Sequence, residues 1–364
     1  MYYSGIDQHK RDCMITTYDA DGHRVKQQRV PNVPPQLRRY FTAFTGPHHA
    51  VVESTGFWYW LADLLDDLGV ELILAHATRL KAIAAAKVKT DRLDSDLLAQ
   101  LLRAGLIPKA HRIAREARGP RDLLRLRVRL VEKRISCLNS LERIREKHHI
   151  TNRNALDPWY QHQVDVSEAQ LALLAQQIHD LEVILHPHLI PNADIQRLLW
   201  VPGIGKVNAF TIWTEVDGIA RFPSEGQFLS YCRVVPGADN SGGRTRHRSG
   251  AKAGNRYLKL AFSHASVRAI QYYPVIKAFY QKHRRRKPVI GARAIVAAEL
   301  ARIVYQVLTK REDFNGLFRG MPLPRTKTRQ WPRLATPAAE LGRGGCASGH
   351  ALDWGARRRA TRCI

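Results

Sequence analysis

The chain has 364 residues, enough for two domains, and its hydrophobic fraction of 45% is typical of a folded protein rather than a disordered one. It carries 58 lysines and arginines against 32 aspartates and glutamates, which gives a formal net charge of +26. Such an excess favours a polyanionic partner, because phosphate backbones attract basic surfaces whatever their sequence. Charge alone does not separate a DNA-binding protein from a ribosome-associated one.

The cysteines and the start of the chain indicate the compartment. The cysteines are odd in number, far apart and without a Cys-x-x-Cys pair, which argues against a zinc ribbon or a disulfide framework. The first residues, MYYSGIDQHKRD, do not resemble a signal peptide, and no apolar run approaches membrane-spanning length. We therefore expect a soluble cytoplasmic protein with no membrane partner.

Residues 1–115 predict alternating strands and helices, an α/β layout. Short apolar runs predict strands at YYSGID, CMITTYD, HHAVVEST and VELILAH. The segment FWYWLADLLDDLG predicts a helix that ends at Gly69.

Residues 116–190 predict two helices with coiled-coil seams. The first runs from Gly119 to about Lys147, and the second starts at a capping box of Ser167 and Gln170 and stops at Pro187. The predicted seams are Leu124, Val128, Val131, Ile135 and Leu138 on the first helix, and Leu171, Leu174, Ile178, Leu181 and Leu185 on the second. An antiparallel hairpin, an oligomerisation stalk and two helices packed on their own domain all fit this pattern.

Residues 191–320 predict a second, mostly helical domain. Within it, LLWVPGIGKVNAFTIWTEV is typical of a helix-hairpin-helix motif, which binds nucleic-acid backbone. Gly203 and Gly205 allow a turn with N–H groups exposed at the next helix, and Lys206 adds a positive charge. An ordinary glycine-rich connection between helices also fits. The remaining residues, 321–364, lack periodicity and predict a disordered basic tail.

The segment GADNSGGRTRHRSGAKAGNRYLKLAF, residues 237–262, predicts a basic loop that leads into a helix. Its candidate phosphate-binding residues are Arg244, Arg246, Arg248, Lys252 and Arg256. Ser241 stands at the head of the loop. A serine hydroxyl becomes a nucleophile only where its proton is accepted and the developing charge is stabilised. From residue types alone, Ser241 is equally a turn serine.

Acidic residues gather in KTDRLDSDLLA despite the basic composition. A helical wheel places Asp91 and Asp94 on the apolar arc and Asp96 on the polar arc. We therefore expect Asp96 to be solvated, and Asp91 and Asp94 to be buried together, where a metal cation would offset their repulsion. Alternatively, Asp91 is only a first-turn acid behind an N-cap at Thr90.

Two further acids, Asp7 and Glu53, end predicted strands in YSGIDQHK and VVESTG. Strand ends at the rim of a sheet are where α/β proteins place their sites. Either acid alone is weak evidence, but the order strand Asp, strand Glu, helix Asp-x-x-Asp is more specific.

These three segments resemble the DEDD motifs of the IS110 family of bacterial insertion-sequence transposases. The resemblance implies an RNase H-like, RuvC-like fold for the first domain. It assigns Asp7, Glu53, Asp91 and Asp94 to the acidic tetrad and leaves Asp96 out. It also implies Mg²⁺ (or Mn²⁺) held by carboxylates beside a scissile phosphate.

The segment SGGRTRHRSGAKAGNRYLKL is similar to the serine segment of the same family, with Ser241 at the serine. The resemblance implies a recombinase that links DNA to Ser241, acts on donor and target double-stranded DNA, and carries a structured guide RNA. The seamed helices favour a dimer or tetramer. The chain departs from the family at CRVVPGADN, where Gly-Leu-x-Pro is commoner, and its tail has no recognised counterpart.

Two rival functions remain open at this point. One is a RuvC-like junction nuclease that uses water as its nucleophile. The other is a nucleic-acid-binding protein without catalysis.

Overall fold

The structure, a computed structural model, describes residues 1–54, 57–83, 90–149, 156–188, 192–241, 244–248 and 254–323. For residues 237–241 and 244–248 the description covers the backbone alone. The chain divides into two compact units, Met1–Arg115 and a second that begins at Glu116. Lys252 lies outside the described residues, and so does the predicted tail from residue 324 onward.

The first unit is a mixed six-stranded sheet with helices, in the strand order β3-β2-β1-β4-β5-β6. Strands β1, β4 and β5 are parallel, whereas β2, β3 and β6 each run antiparallel to their neighbours. The elements are β1 (Tyr2–Gln8), β2 (Asp12–Tyr18), β3 (Arg24–Pro31), α1 (Pro34–Phe41), β4 (His48–Glu53), α2 (Trp58–Asp67), β5 (Glu71–Ala75), α3 (Ala77–Ile83), α4 (Asp91–Arg103) and β6 (Lys109–Ala110). The predicted strands and helix are confirmed, whereas β3, β6 and α1 were not predicted.

The two faces of the sheet carry separate cores, because side chains alternate along a strand. Ile6 and Val52 pack with the apolar residues of α1 and α2. Val51 packs instead with Leu98 and its neighbours on α4. Asp7 lies two residues after Gly5 on β1, and Glu53 lies two residues after Val51 on β4. Both acids therefore lie on the same face of the sheet as Gly5 and Val51, the face that α4 covers.

Helix α4 lies directly on β1 at Gly5. A Cβ at Gly5 would overlap the backbone of Ser95 and Ala99, so only glycine allows this approach. The buried Ser95 hydroxyl is hydrogen-bonded to that of Thr16, 2.8 Å away. This contact fixes the first turn of α4, which carries Asp91 and Asp94, beside the sheet.

The second unit is mostly helical, with a large apolar core built mainly from α8, α10 and α12. Its elements are α5 (Arg115–His148), α6 (Pro158–Leu185), α7 (Ala193–Leu199), α8 (Lys206–Val216), α9 (Glu225–Tyr231), β7 (Gly237–Ser241), β8 (Arg244–Arg248), α10 (Arg256–Tyr272), α11 (Pro274–Arg284), α12 (Val289–Lys310), β9 (Leu317–Phe318) and β10 (Met321–Pro322). Among the described residues, no helix combines the length and the apolarity needed to cross a bilayer.

Helices α5 and α6 pack as an antiparallel hairpin. Leu141, near the end of α5, clusters with Val164 near the start of α6, whereas Leu130 clusters with Leu174 and Leu181. The ion pair between Arg127 Nε and Glu182, at 2.7 Å, joins the two helices further. Four members of the seam predicted on α6 are confirmed as facing α5: Leu171, Leu174, Ile178 and Leu181. The fifth, Leu185, packs into the core of the helical domain.

The seam predicted on α5 is wrong. Leu138 is 37% exposed, and Leu124 packs into the core of the helical domain instead. The residues of α5 that face α6 are Leu123, Leu126, Leu130, Cys137, Leu141 and Ile144. Because α5 presents apolar residues on two faces, periodicity alone did not identify the one that contacts α6.

The predicted start of α6 is also wrong. The helix begins at Pro158, and the Asp157 side chain caps it by accepting a hydrogen bond from Trp159 N at 2.9 Å. Ser167 lies inside the helix, where its hydroxyl donates to Gln163 O. An aspartate N-cap followed by proline at the first helical position is a strong start signal, and Asp157 lies ten residues before Ser167 of the capping box.

Candidate metal centre and serine segment

Asp7 and Glu53 lie on neighbouring parallel strands. Ile6 of β1 pairs with Val52 of β4, so Asp7 and Glu53 stand one position further along their strands. Both belong to the face that α4 covers. The sheet therefore places two carboxylates at one edge, as the order of acids in the sequence predicts.

Asp91 and Asp94 occupy the first turn of α4. Thr90 is the N-cap, and its hydroxyl accepts a hydrogen bond from Leu93 N at 3.3 Å. Negative side chains are stabilised here by the partial positive charge of the helix N-terminus. The capping role for Thr90 is thus confirmed, and it coexists with the approach of Asp91 to Asp7.

Asp7, His9 and Asp91 form the tightest part of the site. His9 Nε2 lies 3.1 Å from Asp7 Oδ2 and 3.4 Å from Asp91 Oδ1. Each of the three residues offers one ligand atom, and these atoms all lie within 4.8 Å of one another. Glu53 and Asp94 do not belong to that group. The donors fit a divalent cation at the sheet edge.

The electrostatics of Asp7 reflect its neighbours. Burial raises the pKa of Asp7; His9 beside it acts the other way, and the negative charges of Asp91 and Asp94 add to the rise. A cation bound among these groups would remove the repulsion that contributes to this shift.

Arg29 of β3 supplies a positive partner that sequence reasoning missed. It donates through Nη2 to Asp91 Oδ2 and through Nη1 to Asp12 Oδ1, the latter at 2.7 Å. The hydrogen bond from Arg29 is the largest cause of a lowered pKa at Asp91. Asp91 is also 38% exposed, so the expectation that it is buried and that a metal cation alone offsets its charge is corrected.

The expectation for Asp96 is corrected as well. Its side chain is only 19% exposed, half the value of Asp91. It accepts hydrogen bonds from the Tyr18 hydroxyl and from Gln100 Nε2, both at 2.7 Å. The helical wheel assumes that only the apolar face of α4 is buried. Tyr18 of β2 also contacts the polar face, where Asp96 lies.

The turn between α7 and α8 contains both predicted glycines, which have different roles. Gly203 has φ +76°, and a Cβ there would overlap the backbone of α10 at Ala265. It is therefore required for packing. Gly205 is the N-cap residue of α8 and has open space around its Cβ position. Lys206 follows it, and burial lowers the pKa of its ammonium group.

Ser241 and its basic neighbours form a two-stranded hairpin, which replaces the predicted loop. Ser241 ends β7 and pairs with Arg244 at the start of β8. In the backbone register of the two strands, Arg246 lies opposite Asp239, and Arg248 lies opposite Gly237.

The two ends of the segment that carries this hairpin are tied together. Asn255 N donates to Tyr231 O at 2.6 Å, which joins the start of α10 to the end of α9. The Asn255 side chain also caps α10 and donates to Glu215 Oε2 at 2.7 Å. Arg256, next in the chain, pairs with Glu132 of α5 at 2.6 Å.

Two transposase domain families match the chain. Residues 4–149 match the family DEDD_Tnp_IS110, described as "Transposase", and residues 195–281 match the family described as "Transposase IS116/IS110/IS902 family". The chain belongs to the IS110/IS116/IS902 transposase family. The resemblance drawn from the sequence motifs is thereby confirmed.

Curated relatives of this chain are also named as transposases. The "Transposase for insertion sequence element IS1328" of Yersinia enterocolitica is 22% identical over 85% of this chain and 98% of its own length. The "Probable family 20 transposase" of Pseudomonas aeruginosa is 24% identical, again over 85% of this chain and 98% of its own. The "Putative transposase y4qE" of Sinorhizobium fredii is 28% identical over 55% of this chain and 53% of its own length.

Membership of this family identifies the chain as an insertion-sequence transposase, which acts on DNA and depends on a divalent metal. The carboxylates at the edge of the sheet fit that dependence. Sequence reasoning missed His9, although residues i and i+2 of an extended chain share a face and Asp7 precedes it by two. It also missed Glu215, whose only signal is a single acid in the apolar stretch AFTIWTEV.

Proposed function

We propose that this IS110-family transposase cuts and rejoins DNA through a phosphoserine intermediate at Ser241, with a divalent metal, Mg²⁺ or Mn²⁺, held by Asp7, Glu53, Asp91 and Asp94. The observation that carries the metal site is the approach of the Asp7 and Asp91 carboxylates to within 4.8 Å of each other. The mixed sheet, with acids at the ends of β1 and β4, supports an RNase H-like fold for the first unit.

The chemistry divides between the two units. The acidic residues would hold the cation, which would supply polarisation of the scissile phosphate and stabilisation of its negative charge. The Ser241 oxygen attacks the phosphorus and loses its proton to a base, the bond to one DNA oxygen breaks, and that oxygen takes up a proton. The serine ester conserves the energy of the broken bond, so a DNA hydroxyl can reverse the step and rejoin the strand.

Phosphate binding is proposed for the rest of the predicted basic set. We propose that the start of α8 binds DNA phosphates as a helix-hairpin-helix motif does. The donors are the backbone N–H groups that follow Gly203 and Gly205, together with the Lys206 ammonium. Arg244, Arg246, Arg248 and Lys252 would neutralise phosphates near Ser241. Arg256 already pairs with Glu132, so we assign it a lesser share.

The exposed face of α6 supports a homo-oligomer. Trp159, Val166 and Leu173 follow one another at seven-residue intervals and are 81%, 44% and 58% exposed. Such spacing supplies one of the two apolar positions in each heptad through which helices pair along a seam. A dimer or tetramer through this face is therefore proposed.

A structured guide RNA is proposed from the family resemblance. The net charge of +26 supports it, because a complex with RNA and two DNA partners needs extensive neutralisation of phosphate. Sequencing of the RNA that copurifies with the protein tests this: a discrete species encoded beside the gene supports it, and random cellular RNA contradicts it.

Replacement of Ser241 tests the mechanism. We expect Ser241→Ala to lose both the covalent protein–DNA product and strand transfer on labelled DNA carrying the native ends of the element. Ser263→Ala, in which an exposed hydroxyl of α10 is removed, is the matched control. If Ser241→Ala still cuts DNA, the metal-dependent nuclease with water as nucleophile is correct instead. If Asp7→Asn also leaves cutting unchanged, the acidic site is not catalytic.

A further inference from the structure

His9 is placed among the acids by its own backbone as well as by its side chain. Its N–H donates to Asp12 O at 2.9 Å, and its carbonyl accepts from Asn32 Nδ2 at 2.7 Å. These two bonds fix the residue immediately after β1. The imidazole then lies with Nε2 between Asp7 Oδ2 and Asp91 Oδ1.

The oxygens of Asp91 are divided between two partners. Oδ2 pairs with Arg29, whereas Oδ1 faces His9 and Asp7. A cation that binds Asp91 through Oδ1 therefore does not have to displace Arg29. Arg29, which also pairs with Asp12, would keep the Asp91 carboxylate oriented toward the cation.

We propose that His9 is a ligand of the metal, through Nε2, together with the carboxylates of Asp7 and Asp91. This inference rests on the metal site of the proposed function and adds a nitrogen to a ligand set otherwise made of oxygen. Mg²⁺ takes oxygen ligands and keeps much of its water, whereas imidazole binds transition metals. The site consequently selects Mn²⁺ over Mg²⁺.

The competing explanation is that His9 only hydrogen-bonds to the two carboxylates and leaves when a cation enters. Both explanations place His9 in the same position without metal, so the metal-bound protein must be measured. Pulsed electron paramagnetic resonance of bound Mn²⁺ distinguishes them, because a coordinated imidazole nitrogen gives a hyperfine coupling that oxygen ligands do not.

The experiment titrates Mn²⁺, and separately Mg²⁺, into the full-length protein and its variants. We expect nitrogen coupling in the unaltered protein, its loss in His9→Ala and His9→Gln, and its retention in His162→Ala, an exposed histidine on α6. The affinity for Mn²⁺ should fall on the order of tenfold or more in the His9 variants, and that for Mg²⁺ less than about twofold. The His9 side chain is 46% exposed, so both variants should fold.

The outcomes separate this inference from the proposed function. Bound Mn²⁺ without nitrogen coupling, or with coupling that persists in His9→Ala, overturns the role of His9 but leaves the carboxylate site standing. Failure of Mn²⁺ to bind the unaltered protein overturns both. Loss of Mn²⁺ binding in Asp7→Asn, with no change in His9→Ala, supports the carboxylates alone.

Discussion

Glu215 accepts two hydrogen bonds from the guanidinium of Arg125, from Nε at 2.6 Å and from Nη2 at 2.9 Å. The carboxylate is 1% exposed and also accepts from Arg121 Nε at 2.9 Å. With Asn255 as a further donor, one buried acid joins α5, α8 and the start of α10. Burial alone would raise the pKa of Glu215, but the hydrogen bonds and charges of the arginines outweigh it and hold the pKa below the ordinary value.

We expect Glu215→Ala to destabilise the protein by about 3–5 kcal/mol, because it leaves two largely buried arginines without their carboxylate. The lowered pKa adds a dependence on pH. Since the carboxyl is more acidic in the folded state, its contribution is present above its ordinary pKa and is lost as pH falls through the folded value. Urea unfolding at pH 7 and at several pH values below the ordinary pKa of 4.5 measures both effects.

Glu132→Ala is the control for Glu215→Ala. Glu132 pairs with Arg256, but both side chains are about half exposed, so its loss should cost less than about 1 kcal/mol. Equal costs for the two variants would show that the buried cluster adds nothing beyond a surface pair.

Gly5→Ala should destabilise the first unit by about 1–3 kcal/mol or more, because the added methyl overlaps the backbone of α4. It should also weaken Mn²⁺ binding, since displacement of α4 moves Asp91 and Asp94 away from Asp7. Thermal unfolding and a Mn²⁺ titration measure the two effects. Gly226→Ala, in helix α9 with open space around it, should be neutral or slightly stabilising.

Much of the acidic site could be predicted from sequence, because each acid follows a strong local signal. The apolar runs before Asp7 and Glu53 identify two strands, and Thr90 identifies the start of α4. The resemblance to a known family then joined these local signals into one site. The resemblance, and not periodicity, thus indicated which residues distant in sequence lie together in the site.

The features that the sequence did not predict correctly depend on contacts between residues distant in sequence. The segment RVKQQRVP forms β3 although only Val30 is buried in it, so the alternation that marks a half-buried strand is absent. Without β3, neither Arg29 nor its pair with Asp91 could be predicted. Asp96 was misjudged for a related reason, because its partner Tyr18 comes from a strand distant in sequence.

His48 should make the protein sensitive to mild acid. Burial lowers the pKa of His48 to about 4, and its Nε2 is 2.7 Å from the Ser4 hydroxyl. Because the unfolded chain takes up this proton near the ordinary pKa of 6.5, stability is present above that pH and is lost as pH falls toward 4. The total loss should be about 3 kcal/mol.

Comparison with His48→Phe measures this effect. The ring would remain among the aromatic side chains of Tyr2, Phe41 and Phe44 and carry no titratable group. We expect its free energy of unfolding, from urea titrations at several pH values, to fall less steeply than that of the unaltered protein. Parallel curves would show that His48 takes up its proton at the same pH in the folded and unfolded states.

Lys206→Gln should weaken binding to double-stranded DNA of any sequence and lower the slope of log affinity against log salt by about 1. The physical reason is the loss of one phosphate contact at the start of α8. Fluorescence anisotropy over a range of salt concentrations gives the slope. Lys310→Gln, at the exposed end of α12, is the control. Identical slopes for the two variants would remove the turn before α8 from the DNA-binding surface.

Asp94 and Asp96 lie two residues apart on α4 and should respond in opposite ways to the same change. Asp94→Asn removes a proposed metal ligand, so we expect DNA cleavage to fall by at least ~100-fold with little loss of stability. Asp96→Asn weakens the acceptor of the Tyr18 hydroxyl, which should cost about 1–3 kcal/mol. Its activity per folded molecule should stay nearly unchanged.

Cleavage rates at saturating Mn²⁺, with urea unfolding of each variant, measure both properties. An active Asp94→Asn would show that Asp94 is not a metal ligand, whereas a folded but inactive Asp96→Asn would show that Asp96 serves the catalytic site.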